Sequence, residues 1–224
     1  MRILICTPTF PPTSGPRSLR WIQFTDYLSR QGWEVDVLTI SPLPGSPRYD
    51  EESIRTLPER VAVHRTFPGI LYALTYRYAS KGNAAEEGQG WRKKTHFSRI
   101  VSKLDQVGRS LLIPDGSIEW LPFALRRGRM LCKKRRYDAL VSVGYPYTSH
   151  VIASFLRKHV RGPWIADYGD PWSFFPHFLP PWRKAINQRL EGWLLKRMDK
   201  VIDTNKETNA GYLSHLKKKK KETV

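Results

Sequence analysis

The sequence predicts an α/β fold built on one doubly wound, mostly parallel sheet. Three observations carry this. The chain opens with an apolar run, a turn cluster, an amphipathic helix and a second apolar run, which is a βαβ unit and requires parallel pairing with a right-handed crossover. From Ala139 onward, short apolar segments alternate with helical patterns. The first strand segment, Ile3 to Cys6, is also continuously apolar, as a strand covered on both faces is.

The elements follow in order. Ile3 to Cys6 is a buried parallel strand, and Thr7 to Pro16 is a turn cluster with four prolines, Ser14 and Gly15. Arg17 to Arg30 reads as a helix with Trp21, Phe24 and Leu28 at i, i+3 and i+7 and Ile22 alongside. Gly32 sits where a left-handed residue closes such a helix. Val35, Val37 and Ile40 mark the second strand, Pro42 to Arg60 is loop-like, and Val61 to Arg65 is a short third strand. A mobile insertion is expected over about 72–97, with little periodicity. Ile100, Leu104, Val107 and Leu111 give a helix stopped by Pro114, and a second helix runs from about Ile118 to Arg136 with a kink expected at Pro122. Then come a strand at Ala139 to Val143, a helix at Thr148 to His159 and a strand at Trp164 to Asp167. A helix follows at Trp182 to Met198, with Ile186, Leu190, Trp193 and Leu194 on one side, and then a short strand at Val201 to Asp203. Glu207 to Leu216 starts a last helix. One domain over 1–216 and a basic tail over 217–224 result.

Size and composition fit this plan. A chain of 224 residues suits one large domain and buries about 70% of the surface its unfolded form exposes. Hydrophobic residues make up 40%, and eight Trp, nine Phe and ten Tyr enlarge the apolar area available for a core, which excludes disorder throughout. The formal charge of +18 implies an anionic partner: nucleic acid, anionic lipid or a phosphorylated substrate. Two cysteines, Cys6 and Cys132, make no disulfide framework and fit a reducing cytosol. The N-terminus does not read as a signal peptide, and no apolar run approaches the ~20 residues of a spanning helix, so membrane contact is expected to be peripheral.

Ligands of open α/β sheets bind outside the carboxyl ends of the strands. Three loops leave such ends here: Pro8 to Pro16, Gly144 to Tyr147, and Asp167 to Trp172. The first has one glycine, so it is no dinucleotide fingerprint. Ser14, Gly15 and Arg17 still stand at a helix N-terminus suited to phosphate; the plainer reading is that Gly15 only lets the chain turn. In the third loop Asp167 and Asp170 are a candidate acid–base or sugar-binding pair, with one pKa raised by the other; the alternative is that they cap a turn and hold a neighbouring loop. Tyr145, His150 and Trp172 are candidate acceptor contacts, with His150 otherwise a packing residue. The six histidines show no metal-ligand spacing, and neither a hydrolase elbow nor a Walker loop is present; no metal or bound cofactor is expected. Arg126, Arg127, Arg129, Lys133, Lys134, Arg135 and Arg136 form a dense basic stretch on a predicted helix. Together with the aromatic loop Trp172 to Leu179 and Trp182 it could contact an anionic membrane; otherwise it is a solvated face and a packed loop.

The run Phe10 to Trp21, then Leu28 and Gly32 to Thr39, resembles the opening of family-4-type glycosyltransferases of the GT-B fold. Pro163 to Trp172 is similar to their "pw-iaD-x-x-DPW" segment, and Val201 to Asn205 resembles their strand before the interdomain crossing. The resemblance covers nearly the whole chain in order. It implies a single Rossmann-like domain, the N-terminal acceptor-side half of a GT-B enzyme, with a nucleotide-sugar as donor substrate and retention of anomeric configuration without metal. It places Gly15 near the donor phosphates and Asp167 and Asp170 along the cleft. It implies a glycan or lipid-linked acceptor, envelope or extracellular glycan synthesis, and a cytoplasmic protein peripheral to the inner face of the membrane. The first loop departs from the family in carrying Gly15-Pro16 where Gly-Gly is usual, and the third in carrying Gly169 where many relatives have Arg between the aspartates. The family's second, donor-binding domain has no counterpart in these residues; a separate C-terminal donor domain is the expected partner, and the run Lys217 to Lys221 suggests a truncated product of a longer frame. The competing reading is a basic, non-catalytic module for nucleic acid or anionic membrane. Nucleic acid is the disfavoured partner, since the cations accompany no recognisable nucleic-acid motif.

Overall fold

In a computed structural model, the residues described are 1–42, 49–70, 72–73, 112–170, 172–173 and 180–203. Six strands form one sheet: β1 (Arg2–Cys6), β2 (Glu34–Ile40), β3 (Val61–Thr66), β4 (Ala139–Gly144), β5 (Trp164–Tyr168) and β6 (Lys200–Asp203). Their spatial order is β3-β2-β1-β4-β5-β6, and every neighbouring pair is parallel. The helices are α1 (Pro16–Arg30), the short α2 (Glu52–Arg55), α3 (Leu121–Lys134), α4 (Thr148–Leu156) and α5 (Pro181–Leu195). The doubly wound parallel architecture is therefore as the sequence predicts. The expected helix over 100–111, most of the 72–97 insertion, residues 174–179 of the aromatic loop, and everything after 203 lie outside the described residues.

The strands are apolar on both sides because both sides are covered. Ile3, Ile5, Val35, Val37, Val141 and Val143 pack on one face with Phe10 and Trp21 of the α1 side. Leu4, Cys6, Leu38, Ile40, Leu140, Trp164 and Ala166 pack on the other, against Trp120, Ala124, Leu131, Ile152, Leu156 and Leu194 from the α3–α5 side. Period-two alternation along each strand feeds the two cores in turn. Trp120 and Trp164 are fully buried, and each satisfies its indole N–H, on Thr66 Oγ1 at 2.6 Å and Ser142 Oγ at 2.8 Å. Gly128 lets α3 approach its neighbours: a Cβ there would stand 2.6 Å from Leu156 Cδ1 and 3.3 Å from Leu38 Cδ2.

Gly32 closes α1 as expected. It has φ +79°, its N–H donates to Ser29 O at 2.9 Å, and the Trp33 N–H donates to Leu28 O at 3.0 Å. That double bond pattern satisfies carbonyls the helix end would leave orphaned.

Four readings are corrected. On α1 the buried residues are Ser18, Trp21 and Thr25, while Phe24 is exposed and only flanks Trp21, with ring centroids 5.3 Å apart. Pro122 does not kink a helix: a 3-10 turn over Ile118–Trp120 precedes α3, and Pro122 falls in the first turn, where its missing N–H costs nothing. The loop after Pro42 contains α2 and a bridge pairing Thr13 with Tyr49. On α5 the inward face is Arg183, Asn187, Glu191, Leu194 and Leu195, while Trp182, Ile186 and Trp193 point outward. The reason is backbone supply. The Arg183 guanidinium donates to Leu112 O at 3.0 Å, and Glu191 Oε2 accepts the Ser173 N–H at 3.2 Å and the Ser173 hydroxyl. Loop backbone buried under α5 needs polar partners, and a wholly apolar face would leave it orphaned.

Candidate functional site

In this strand order the chain reverses its direction of travel between β1 and β4, so a crevice opens outside the carboxyl ends of those strands. The loops after β1, β4 and β5 meet there. α1 begins at the end of the first loop. Its N-cap is Gly15, at φ +151°, a conformation that side chains rarely adopt; Pro16 follows in the first turn, and no side chain caps the helix. Ser14, Gly15 and Arg17 are all half-buried on this rim.

Arg17 ties the three loops together. Its guanidinium donates to the carbonyl oxygen of Tyr145 in the second loop and to Asp170 Oδ2, at 2.9 Å, in the third. Gly169 makes room for it: a Cβ on Gly169 would lie 2.6 Å from the Arg17 Nη2. Gly169 is thus the residue against which an arginine from α1 packs.

The two aspartates part company. Asp167 is 1% exposed; its Oδ2 accepts the Trp21 indole N–H at 2.8 Å and its Oδ1 pairs with Arg20 at 3.0 Å. Burial pushes its carboxyl up from the ordinary range, with Arg20, Trp21 and Arg17 pulling the other way. Asp170 has a side chain 67% exposed and pairs with Arg17. The expected acid–acid pair, one raising the pKa of the other, is corrected: each carboxylate is held by its own arginine, and Asp167 is a strut between β5 and α1.

His150 is fully buried. Its Nδ1 lies 2.7 Å from Ser142 Oγ, and its ring stacks on Tyr168 with centroids 4.6 Å apart and planes 19° apart. Ser142 Oγ also accepts the Trp164 indole N–H at 2.8 Å, so the histidine, the serine and the tryptophan form one buried polar chain. Burial and the charge of Arg17 push the imidazole down to about 3, so it is neutral at physiological pH. The sequence-derived roles of acceptor contact or proton shuttle are corrected: no atom of His150 reaches solvent here. Trp172 is likewise buried, stacked on Tyr147 at 4.6 Å with planes 6° apart, rather than dipping outward. Tyr147 also donates its hydroxyl to Asp170 O at 3.2 Å, and burial pushes its phenol up. Tyr145 is the exposed aromatic of the rim, set edge-on to Tyr147.

Sequence reasoning missed four residues. Asp115, in a Pro-Asp-Gly-Ser turn, is buried and caps the start of α4 from outside it: its Oδ2 accepts the Thr148 N–H at 3.0 Å and its Oδ1 the Thr148 hydroxyl at 2.8 Å. Burial pushes its carboxyl up against those bonds. Arg20 and Glu191 hold Asp167 and Ser173. Asp36, buried on β2, accepts from His64 Nε2 at 2.5 Å, from Arg135 at 2.7 and 2.9 Å, and from the Tyr137 hydroxyl at 3.0 Å. Burial pushes the Asp36 carboxyl up, but those bonds outweigh it and hold it below its ordinary range. Arg127 donates to His64 Nδ1 at 3.0 Å. Two members of the basic stretch are thereby corrected: Arg127 and Arg135 serve this internal network, while Arg126, Arg129, Lys133, Lys134 and Arg136 are exposed. Among the described residues no group of three His, Cys, Asp or Glu side chains is arranged to hold a metal, and no helix is long and apolar enough to cross a membrane.

No family model matches the sequence, and no curated protein does. Among solved structures the chain is similar to sucrose-phosphate synthase from Thermosynechococcus elongatus, with a TM-score of 0.58 and 16% identity over 93% of this chain and 43% of that one. MurG from Acinetobacter baumannii matches with a TM-score of 0.44 and 11% identity over 92% of this chain and 42% of that one. UGT2 from Phytolacca americana, solved with UDP-2fluoro-glucose and pterostilbene, matches with a TM-score of 0.41 and 14% identity over 75% of this chain and 30% of that one. The last two are too distant in shape to bear on the site. The chain spans less than half the length of each of these structures. Strand order and the first similarity together give this chain the fold of one Rossmann-like half of a GT-B glycosyltransferase.

Proposed function

We propose that this chain is the N-terminal, acceptor-binding half of a sugar-nucleotide-dependent, retaining glycosyltransferase of cell-envelope or extracellular glycan synthesis, working with a C-terminal donor-binding domain. The observation that carries this reading is Arg17, which joins the ends of β1, β4 and β5 into one rim at the reversal of the sheet. The rim offers three kinds of recognition. The uncapped start of α1 at Ser14 and Gly15 suits the donor phosphates. Tyr145 offers an exposed ring for the apolar face of a sugar. Asp170, exposed and held by Arg17, can accept a hydrogen bond from an acceptor hydroxyl and draw off its proton as transfer proceeds. Asp167, His150 and Trp172 are positioning residues behind this rim. The site of action is the cytoplasmic side of the membrane, where a nucleotide-sugar and a lipid-linked acceptor meet.

Transfer from a panel of labelled nucleotide-sugars to membrane glycans, by the chain alone and with a GT-B donor-binding domain, tests this. Product is expected only with both parts, and Asp170→Asn is expected to lower the rate about 100-fold with little change in stability. Transfer indifferent to Asp170 and Arg17 would sink the assignment of this rim.

A further inference from the structure

We propose that Arg65, near the carboxyl end of β3, is an oxyanion-binding subsite beside the first loop, taking the phosphate or carboxylate group of an acidic sugar. Arg65 is half-buried, and its guanidinium donates to Pro11 O at 2.5 Å. Among the described residues that carbonyl is its only hydrogen-bond acceptor, and no carboxylate stands within ion-pair distance of it.

The contrast with other arginines carries the inference. Arg17 meets Asp170, Arg20 meets Asp167 and Arg135 meets Asp36. The acid nearest to Arg65 across the first loop, Asp50, is engaged elsewhere: its Oδ1 accepts the N–H groups of Glu52 and Ser53 at 3.1 and 3.3 Å. Burial pulls the Arg65 guanidinium down from its ordinary range, with the Tyr49 phenol acting the other way. Holding Pro11 O requires a single N–H, which a neutral glutamine supplies without withdrawing a charge from water. A half-buried guanidinium with N–H groups to spare is matched by an anion from outside the chain, which it binds through charge-assisted hydrogen bonds.

The surroundings are rich in donors. Thr39 is the register partner of Arg65, so the two side chains share one face of the sheet. The Thr39 hydroxyl is fully buried and has no hydrogen-bond partner. Buried hydroxyls ordinarily find one, so the polar capacity on this face exceeds what the chain itself uses. Tyr49 is exposed and held against the first loop by its bridge to Thr13, and the Asp50 N–H donates to Pro12 O at 2.8 Å. One guanidinium and one phenol suit a single acidic group; a polyanion is tracked by a row of cations.

The first loop is thus held from two sides. Arg17 ties its end toward β4 and β5, and Arg65 and Asp50 tie its middle toward β3. A sugar whose acidic group sits on Arg65 is brought to the loop that leads into Gly15 and Arg17. Its use there as an acceptor rests on the proposed transfer function, whereas anion binding itself does not.

Isothermal titration of the full chain with glucose 6-phosphate, glucuronate and glucose, at about 0.15 M salt to screen the exposed cations, tests this. At least one of the two acids is expected to bind and glucose is not; whichever acid binds identifies the group as phosphate or carboxylate. Arg65→Gln keeps a donor for Pro11 O and removes the charge, and it should weaken binding at least about tenfold. Arg65→Lys should weaken it less. Arg129→Gln, at an exposed cation on α3, should leave it within about twofold. Circular dichroism checks that each variant folds. Where Arg65→Gln does not, the Arg65 Nε–H signal in the NMR spectrum of the unaltered chain replaces it, with a shift expected on adding the acid and none with glucose. Absence of binding by both acids, equal binding of glucose, native affinity in folded Arg65→Gln, an equal loss in Arg129→Gln, or an unmoved Arg65 signal would each overturn the proposal. None of these readouts involves sugar transfer: binding without transfer leaves the subsite standing, and transfer without binding removes the subsite alone.

Discussion

Where α1 crosses the sheet, two arginines enter the structure and each meets an aspartate: Arg17 with Asp170 and Arg20 with Asp167. Where α3, α4 and α5 cross the opposite face, the cations Arg126, Arg129, Lys133, Lys134, Lys184 and Arg189 stay outside with no exposed carboxylate on those helices to meet them, while the buried Arg183 donates to the carbonyl of Leu112. The same abundance of positive charge thus serves two ends. Paired, it fixes the geometry of a site; unpaired, it is left for something beyond the chain. An ion pair half withdrawn from water depends on both partners, whereas an isolated surface cation contributes little to stability.

The comparison can be broken first at Asp167 and His150. Asp167→Ala strands Arg20 and the Trp21 indole and is expected to cost about 3 kcal/mol in urea unfolding, whereas Asp170→Asn, at an exposed pair, is expected to cost under about 1 kcal/mol. Equal costs would mean that the two pairs are not different in kind. On the other side, the interior tolerates no positive charge at His150. Its folded pKa is about 3 against 6.5 unfolded, so the stability it contributes is complete above pH 6.5 and is lost as the pH falls from there toward 3. The slope is about 1.4 kcal/mol per pH unit. Unfolding at pH 7 and pH 4.5 should show His150→Phe flatter than the native chain by that amount per unit; parallel slopes would mean the imidazole is not held neutral. A smaller effect sharpens the picture of the helix layer: Gly128→Ala drives a methyl against Leu156 and is expected to lower stability by about 2 kcal/mol, read as a fall in Tm. The smallest expected effect is that of the triple Arg126→Glu, Arg129→Glu, Lys133→Glu on α3, which should leave Tm unchanged or raised, since that helix has no acid for those cations to lose.

Much of the frame was legible in the residues. The continuous apolar run from Ile3 to Cys6 marked a strand covered on both faces, and Gly32 marked the end of α1. Pattern could not say which stripe of a helix turns inward when two stripes are plausible. Phe24 lost to Ser18 and Thr25 because the rim pulls Arg17, Arg20 and Trp21 toward β5. On α5 the apolar side lost to Arg183, Asn187 and Glu191 because buried loop backbone needed donors and acceptors. Asp115 and Asp36 were invisible because their partners, Thr148 and Arg135, stand 33 and 99 residues away.

The sequence by itself determined the α/β class, the parallel sheet and the three loops that leave its carboxyl ends, because hydrophobic period and turn residues are local properties. Only the tertiary structure decided how the charges are spent within those loops. Asp167 and Asp170 are three residues apart in the chain, yet one is sealed under α1 and the other is open at the rim. A carboxylate's role is set by the burial and the partners that distant segments bring to it, and those exist only once the sheet has closed the distance.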